Sequence, residues 1–357
     1  MNVLDLARPE LRHLKPYSSA RMEAGRASVM LNANESPYAP FSDDTLGLNR
    51  YPDPQPAVLL DRLADIYGVR PEQLFVGRGS DEAIDLLVRA FCRAELDAVL
   101  ISPPTFGMYA VAAAVQGAAV VSVPLRAADD FALDVPALLA ALTVHPIKLI
   151  FVCTPNNPTG ASVPIAQITE LLAGVAGRAL VVVDEAYAEF ADTPSLTQML
   201  DLYPNLLVLR TLSKAYGLAG ARIGALIAAN SIISLIRRIM APYPLATPCV
   251  AAVLSALGAD ATIARLQHLQ TTRTERQRLS AALAAHPAVR HVWPSAANFL
   301  VFRVDDAKAS WNGLINAGVI VRDVSHYLGL ANCLRVSIGT PQENDAFLAA
   351  LTRPPTA

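Results

Sequence analysis

Short runs that are apolar at every position punctuate the chain, at about residues 74–76, 98–101, 119–123, 148–153, 179–184, 206–210 and 223–228. A strand with one face in water alternates apolar and polar residues, so a run that is apolar throughout predicts a strand buried on both faces. Helical spacing fills several of the gaps. Leu59, Leu60, Leu63 and Ile66 mark a helix over 57–67 that Gly68 stops. Ile84, Leu87, Val88 and Phe91 mark another, with Ser80 or Asp81 as its expected N-cap. Asp134, with Pro136 close behind, opens a third helix, and Pro164 a fourth. Strands alternating with helices predict an α/β fold, a mostly parallel seven-stranded sheet flanked by helices.

The pattern changes at both ends. After Asn230 helical stretches run to about 285, broken at Pro242, Pro244 and Pro248. Strand-like runs at 289–293, 298–302, 319–321 and 333–338, with a helix near 306–316, then predict a smaller α+β domain. Residues 1–50 are rich in Pro, Asn and Ser and carry little periodicity, which reads as an arm over a surface. The expected division is an arm at 1–50, a large domain at 51–244 and a small domain at 245–357, with the arm packed on the small domain or a partner subunit.

Composition narrows the class. With 357 residues, 53% of them hydrophobic, 17% charged and a mean hydropathy of +0.35, the chain can bury a large core. No apolar run is long enough to span a bilayer, and the first ten residues lack a signal peptide's basic segment and apolar core. A cytoplasmic protein is expected. Cys92, Cys153, Cys249 and Cys333 are scattered, without a Cys-x-x-Cys pair or a histidine at metal spacing, so they read as free thiols and no metal is expected. A net charge of −2 gives no reason to expect nucleic acid or an anionic membrane as partner.

Candidate chemistry gathers where the apolar runs stop, the edge of an α/β sheet that carries ligand sites. Lys214 lies just beyond one run, Asp184 ends another, Asn157 follows a third, and Ser80 and Asp81 follow a fourth. On position alone Asp184 and Lys214 read first as a salt bridge. An amine nucleophile, however, works by condensing with a carbonyl. If that carbonyl belongs to pyridoxal 5'-phosphate, the ring nitrogen needs an acidic partner. The phosphate then needs backbone N–H groups, hydroxyls and an arginine. Ser80, Asp81, Ser213 and Arg222 suit the phosphate, and Asn157 and Tyr187 suit the ring hydroxyl. Phe106 suits the ring face, although a lone aromatic reads equally as core and Ser80 equally as an ordinary cap. Tyr109 is an alternative to Phe106, one helical turn on.

These motifs resemble the fold-type I pyridoxal-phosphate aminotransferases over nearly the whole chain. The resemblance is carried by Leu31-Asn-Ala-Asn-Glu35, Arg50-Tyr-Pro-Asp-Pro54, Gly77-Arg-Gly-Ser-Asp-Glu82, Pro103-Pro-Thr-Phe-Gly-Met-Tyr109, Pro155-Asn-Asn-Pro-Thr-Gly160, Asp184-Glu-Ala-Tyr187, Arg210-Thr-Leu-Ser-Lys214, Gly220-Ala-Arg222 and Leu334-Arg-Val-Ser-Ile-Gly339. The arm and Ala241-Pro-Tyr-Pro-Leu-Ala-Thr-Pro248 point within that family to the branch that exchanges an amino group between L-histidinol phosphate and 2-oxoglutarate. The resemblance implies that Lys214 anchors the cofactor and then moves the substrate proton, that Asp184 pairs with the ring nitrogen, and that Asn157 and Tyr187 bind the ring oxygen. It implies a phosphate site of Ser80, Asp81, Ser213 and Arg222, completed by Tyr51 of a second subunit in a homodimer. Arg335 would grip a substrate carboxylate. Arg322 and Tyr17 would take the substrate phosphate, or else are plain surface residues, and Asn34 is a further substrate-side candidate.

Four rivals remain. An aromatic amino-acid aminotransferase or a phospho-amino-acid decarboxylase would use the same cofactor residues. The segment Gly77-Arg-Gly-Ser-Asp81 is only superficially like the loop of a nucleotide-binding oxidoreductase, since the third glycine of a dinucleotide loop is missing. A ligand-sensing relative would need a nucleic-acid-binding segment, and none is visible.

Overall fold

The computed structural model describes residues 3–15, 17, 29–40 and 46–351. Of the expected arm, residues 1–2, 16, 18–28 and 41–45 lie outside the described residues, as do 352–357 of the expected small domain. All seven apolar runs form strands: β1 Leu74–Arg78, β2 Ala98–Ile101, β3 Ala119–Ser122, β4 Ile147–Cys153, β5 Leu180–Asp184, β6 Leu206–Thr211 and β7 Ile223–Ile227. They make one sheet in the order β1-β7-β6-β5-β4-β2-β3. Every pairing is parallel except those of β7, which runs antiparallel to both β1 and β6.

Alternation along the central strands feeds two cores. Val181, Val183 and Val208 pack on one face, with Leu59, Leu63 and Leu171 from the helices Ala57–Tyr67 and Ile165–Gly174. Leu180, Val182, Leu207 and Leu209 pack on the other, with Ile84, Leu87 and Phe91 from the helix Ser80–Phe91. Burial on both faces is why these strands read as unbroken apolar runs. Gly68 closes the helix Ala57–Tyr67 at φ 65°, and the Asp134 carboxylate accepts from the Ala137 N–H to open Val135–Val144.

The second sheet is antiparallel, in the order β10-β11-β9-β8, from β8 Val289–Val292, β9 Phe299–Val304, β10 Arg322–Asp323 and β11 Cys333–Ser337. Leu300, Phe302 and Leu334 on one face pack on Leu279, Leu314 and Phe347 from the helices Ala259–Ala284, Ala307–Asn316 and Pro341–Leu351. Val301 and Cys333 on the other face, with Trp293, join the core of the large sheet.

Four expectations need correction. The N-cap of Ser80–Phe91 is Gly79, at φ 79°, and Ser80 and Asp81 are its first two helical residues. The strand expected at 319–321 forms one step later, where Arg322 and Asp323 find partners on β11. Residues 3–12 lie on the large domain, with the Arg8 N–H donating to the Ala90 carbonyl and the Arg238 guanidinium to the Arg12 carbonyl. Leu245, Val250, Val253 and Leu257 share the large sheet's core, as Val301 and Cys333 do, so shared core marks no boundary at 244.

Candidate active site

A cavity of about 330 Å³ opens at the carboxyl ends of β1, β4, β5 and β6, where parallel strands deliver their loops together. Its lining includes Ser80, Asp81, Phe106, Asn157, Asp184, Tyr187, Ser213, Lys214, Arg222 and Arg335. Ten of the residues expected from sequence therefore meet in one place. Thr211, Cys153 and Ala186 were not expected there, and they line the same wall as ordinary strand-end residues.

Asp184 ends the fully buried β5. Its Oδ2 accepts from the Tyr109 hydroxyl at 2.7 Å and its Oδ1 from the Ala186 N–H at 3.0 Å. Desolvation pushes its pKa up to about 6, against the pull of those two donors, and the Asp81 and Glu185 charges add to the rise. Tyr109 is itself fully buried, stacked on Phe151 at 4.6 Å between ring centroids. It is thus not an alternative ring-stacking residue but the support beneath Asp184. Phe106, set edge-on to Tyr109, holds the cavity side.

Lys214 lines the same cavity as Asp184 without making an ion pair with it. Burial lowers its basicity, and the Arg335 and Arg222 charges lower it further, against the opposing pull of Asp81 and Asp184. Its Nζ stands 5.7 Å from the centroid of the Tyr187 ring, whose edge meets Phe299 at 5.2 Å. Burial pushes the Tyr187 hydroxyl up, so it is a donor at neutral pH. A buried acid raised and a buried amine lowered in one cleft is the arrangement acid–base chemistry requires.

One end of the cavity is built for an anion. The helix Ser80–Phe91 starts there without a side-chain cap, leaving its first N–H groups and positive dipole end to the cavity. Arg222 arches over it, donating to Asp81 at 3.2 Å. A Cβ on Gly79 would lie 2.7 Å from the Arg222 guanidinium, and one on Gly224 would lie 2.3 Å from the Ser80 nitrogen. Glycine at both positions lets helix start, strand and guanidinium close into one cradle. Ser213, two residues on from Thr211, whose hydroxyl accepts from its N–H, completes the wall.

The opposite end carries Arg335 from β11, which donates to the Asn157 amide oxygen. Arg322 is its direct partner across β10 and β11, so the two arginines share one face of the small sheet. Arg322 itself is exposed and lines a neighbouring hollow of about 750 Å³ that also touches Arg335. Besides Arg322, three candidates are not brought to the cavity. Tyr51 stacks on Tyr243 at 4.4 Å and, with Asn34, lines a separate hollow of about 480 Å³. Tyr17 stands on the arm, 69% exposed.

The donor set fits pyridoxal phosphate: a buried carboxylate, an amine of lowered basicity in the same cavity, two groups able to donate to a ring oxygen, and an anion cradle. Residues 24–351 match the model of the aminotransferase class I and II family. The histidinol-phosphate aminotransferase of Xanthomonas axonopodis pv. citri (strain 306) is 50% identical over 353 residues, 99% of this chain and 97% of that one. That of Xylella fastidiosa (strain 9a5c) is 51% identical over 352 residues, 98% and 96% of the two chains. Among solved structures, histidinol-phosphate aminotransferase from Sinorhizobium meliloti in complex with pyridoxal-5'-phosphate superposes with a TM-score of 0.77 at 29% identity, over 85% of this chain and 82% of that one. A decarboxylase from Sulfurospirillum multivorans superposes with a TM-score of 0.74 at 26% identity, over 82% and 85%.

Proposed function

The chain belongs to the class I and II aminotransferases, and we propose that it exchanges the amino group between L-histidinol phosphate and 2-oxoglutarate as a step of histidine biosynthesis. The observation that carries the reading is the buried Asp184 carboxylate and Lys214 lining one cavity together with the anion cradle. The near-full-length likeness to histidinol-phosphate aminotransferases supports the substrate.

Bound pyridoxal phosphate supplies the carbonyl that takes up the amino group and a protonated ring that draws electrons from the reacting carbon. Asp184 keeps that ring nitrogen charged, because a carboxylate already buried gains most from a cation beside it. Lys214 anchors the group and then accepts and returns the substrate proton at Nζ, a task its lowered basicity suits. Tyr187 and the Asn157 amide nitrogen donate to the ring oxygen, the Asn157 amide oxygen being taken by Arg335. Ser80, Asp81 through its main-chain N–H, Ser213 and Arg222 hold the phosphate, for which Arg222 must turn from the Asp81 carboxylate.

Arg335 presents a planar fork to a substrate carboxylate. Arg322 beside it serves the phosphate of the alternate substrate, with Tyr17 and Asn34 closing from the arm. Two half-reactions then share one site. Tyr51 reaches the phosphate of a second copy's cofactor in a homodimer, consistent with its place outside its own cavity. The setting is cytoplasmic. Among the described residues no single helix is long and apolar enough to cross a membrane.

Half-reaction spectra test the substrate. Histidinol phosphate and glutamate should each convert the cofactor's absorption to that of its amine form, and phenylalanine far more slowly. Equal or faster conversion by phenylalanine would favour an aromatic aminotransferase, and carbon dioxide release a decarboxylase.

A further inference from the structure

We propose that Arg210 is a positioning residue for this site, clamping both ends of the segment that carries Tyr187 to the strand that delivers Lys214. The roles of Tyr187 and Lys214 rest on the cofactor reading above. Thr211 lines the cavity, so Arg210, one residue earlier on β6, points to the opposite face of the sheet. There it is 7% exposed, and its guanidinium donates to Glu185 at 2.7 Å and to Glu189 at 2.6 Å. Those carboxylates stand two residues before and two after Tyr187, so one planar group fixes both ends of a five-residue loop. A lysine, with its single charged point, cannot span them in the same way.

The clamp is embedded in further contacts. Glu185 also accepts from the Ser195 hydroxyl at 2.5 Å and the Leu196 N–H at 2.8 Å, and its own N–H donates to the Leu209 carbonyl on β6 at 3.0 Å. The Arg210 guanidinium lies 5.1 Å from the centroid of the Tyr67 ring. Past Tyr187, Arg273 donates to the Glu189 and Ala191 carbonyls and Arg276 to those of Phe190 and Ala297. The helix Ala259–Ala284 therefore holds the far end of the loop to the small domain, and Arg210 alone of these three arginines holds it to the sheet.

Stability is a poor reason for such a cluster. Buried ion pairs often contribute no more than apolar residues of the same volume. Here the Arg210 Nε, the Glu189 Oε2 and the Tyr67 hydroxyl are all buried without a partner among the described residues, which adds to the cost. What one guanidinium between two carboxylates does supply is direction, and catalysis is sensitive to misplacement of a reacting group by about 1 Å.

The test uses Arg210→Lys and Glu189→Gln in the full chain, with the unmodified protein alongside. Both variants should bind pyridoxal phosphate and develop its protein-bound visible absorption. The rate constant of the half-reaction should fall by about 100-fold with KM within about threefold. In the cofactor-free protein, the pH midpoint for acylation of Lys214 should rise as water enters beside Tyr187. A merely structural role predicts a lower melting temperature with the folded fraction's kcat and the Lys214 midpoint both unchanged, and that result overturns the proposal. If Arg210→Lys does not fold, Glu189→Gln decides, since it keeps the arginine and removes one charge. An unmodified chain that binds no pyridoxal phosphate would overturn the cofactor reading instead, leaving the lysine midpoints to judge the clamp.

Discussion

Asp184→Asn in the cofactor-free protein should make the chain more stable at neutral pH while nearly abolishing its activity. Burial raises the folded-state pKa of Asp184 from its ordinary 3.8 to about 6. A carboxyl shifted upward disfavours the folded state wherever it must ionise. The penalty is absent below the unfolded value, grows as pH rises between the two values, and is complete above the folded one. About two pH units at 1.36 kcal/mol each give a penalty of about 3 kcal/mol at pH 7. Asparagine matches the protonated acid in shape and carries no such penalty. With about 2.1 cal/mol/K of unfolding entropy per residue, 3 kcal/mol over this chain is about 4 °C in melting temperature. Scanning calorimetry of both proteins without cofactor, from pH 4 to pH 8, should show curves that meet near pH 4 and separate by that amount by pH 7. Adding pyridoxal phosphate should reverse the order, since only the carboxylate gains a cationic partner. Parallel curves across the whole range would refute the claim that Asp184 is a buried charge waiting for one.

Tyr109→Phe removes the 2.7 Å donor to Asp184 and keeps the stack on Phe151. A hydrogen bond to a charged group is worth about 1.5–3 kcal/mol, so the acidic limb of the kcat–pH profile should move up by about one to two units. An unmoved limb would detach Tyr109 from the site. Mixing Tyr51→Ala with Lys214→Ala subunits, each inactive alone, should restore about a quarter of the activity if each dimer site draws on both chains, because half the random dimers then hold one intact site. No recovery would place Tyr51 outside the partner's site.

Much of the fold was legible because burial leaves its mark on composition. Strands covered on both faces must be apolar at every position, and all seven such runs became strands. Direction was less legible. Nothing in the run Ile223-Gly-Ala-Leu-Ile227 says that it inserts antiparallel between β1 and β6, since side-chain pattern encodes burial and not pairing partner. Cap preference alone misassigned the start of the helix Ser80–Phe91. The deciding fact is the φ of 79° at Gly79, which glycine adopts freely, together with the Arg222 guanidinium, more than 140 residues away, lying where a Cβ would sit. Tyr109 was visible as an aromatic near Phe106, but its orientation depends on Phe151 and Asp184 from other strands. The ten residues that meet in the cavity were legible because each sits just past a predicted strand, on a neighbouring loop, or on the second sheet with a charge that needs a use. Tyr51, Asn34 and Tyr17 lie away from the cavity of their own chain, where a strand-end rule has no purchase.

One covalent attachment underlies all of this chemistry. Protein incubated with pyridoxal phosphate, reduced with borohydride and digested should yield the cofactor's added mass on the peptide containing Lys214, and Lys214→Ala should lose both that mass and the visible absorption. The mass found on another lysine, or absorption that survives in Lys214→Ala with the cofactor still attached, would contradict the assignment of Lys214.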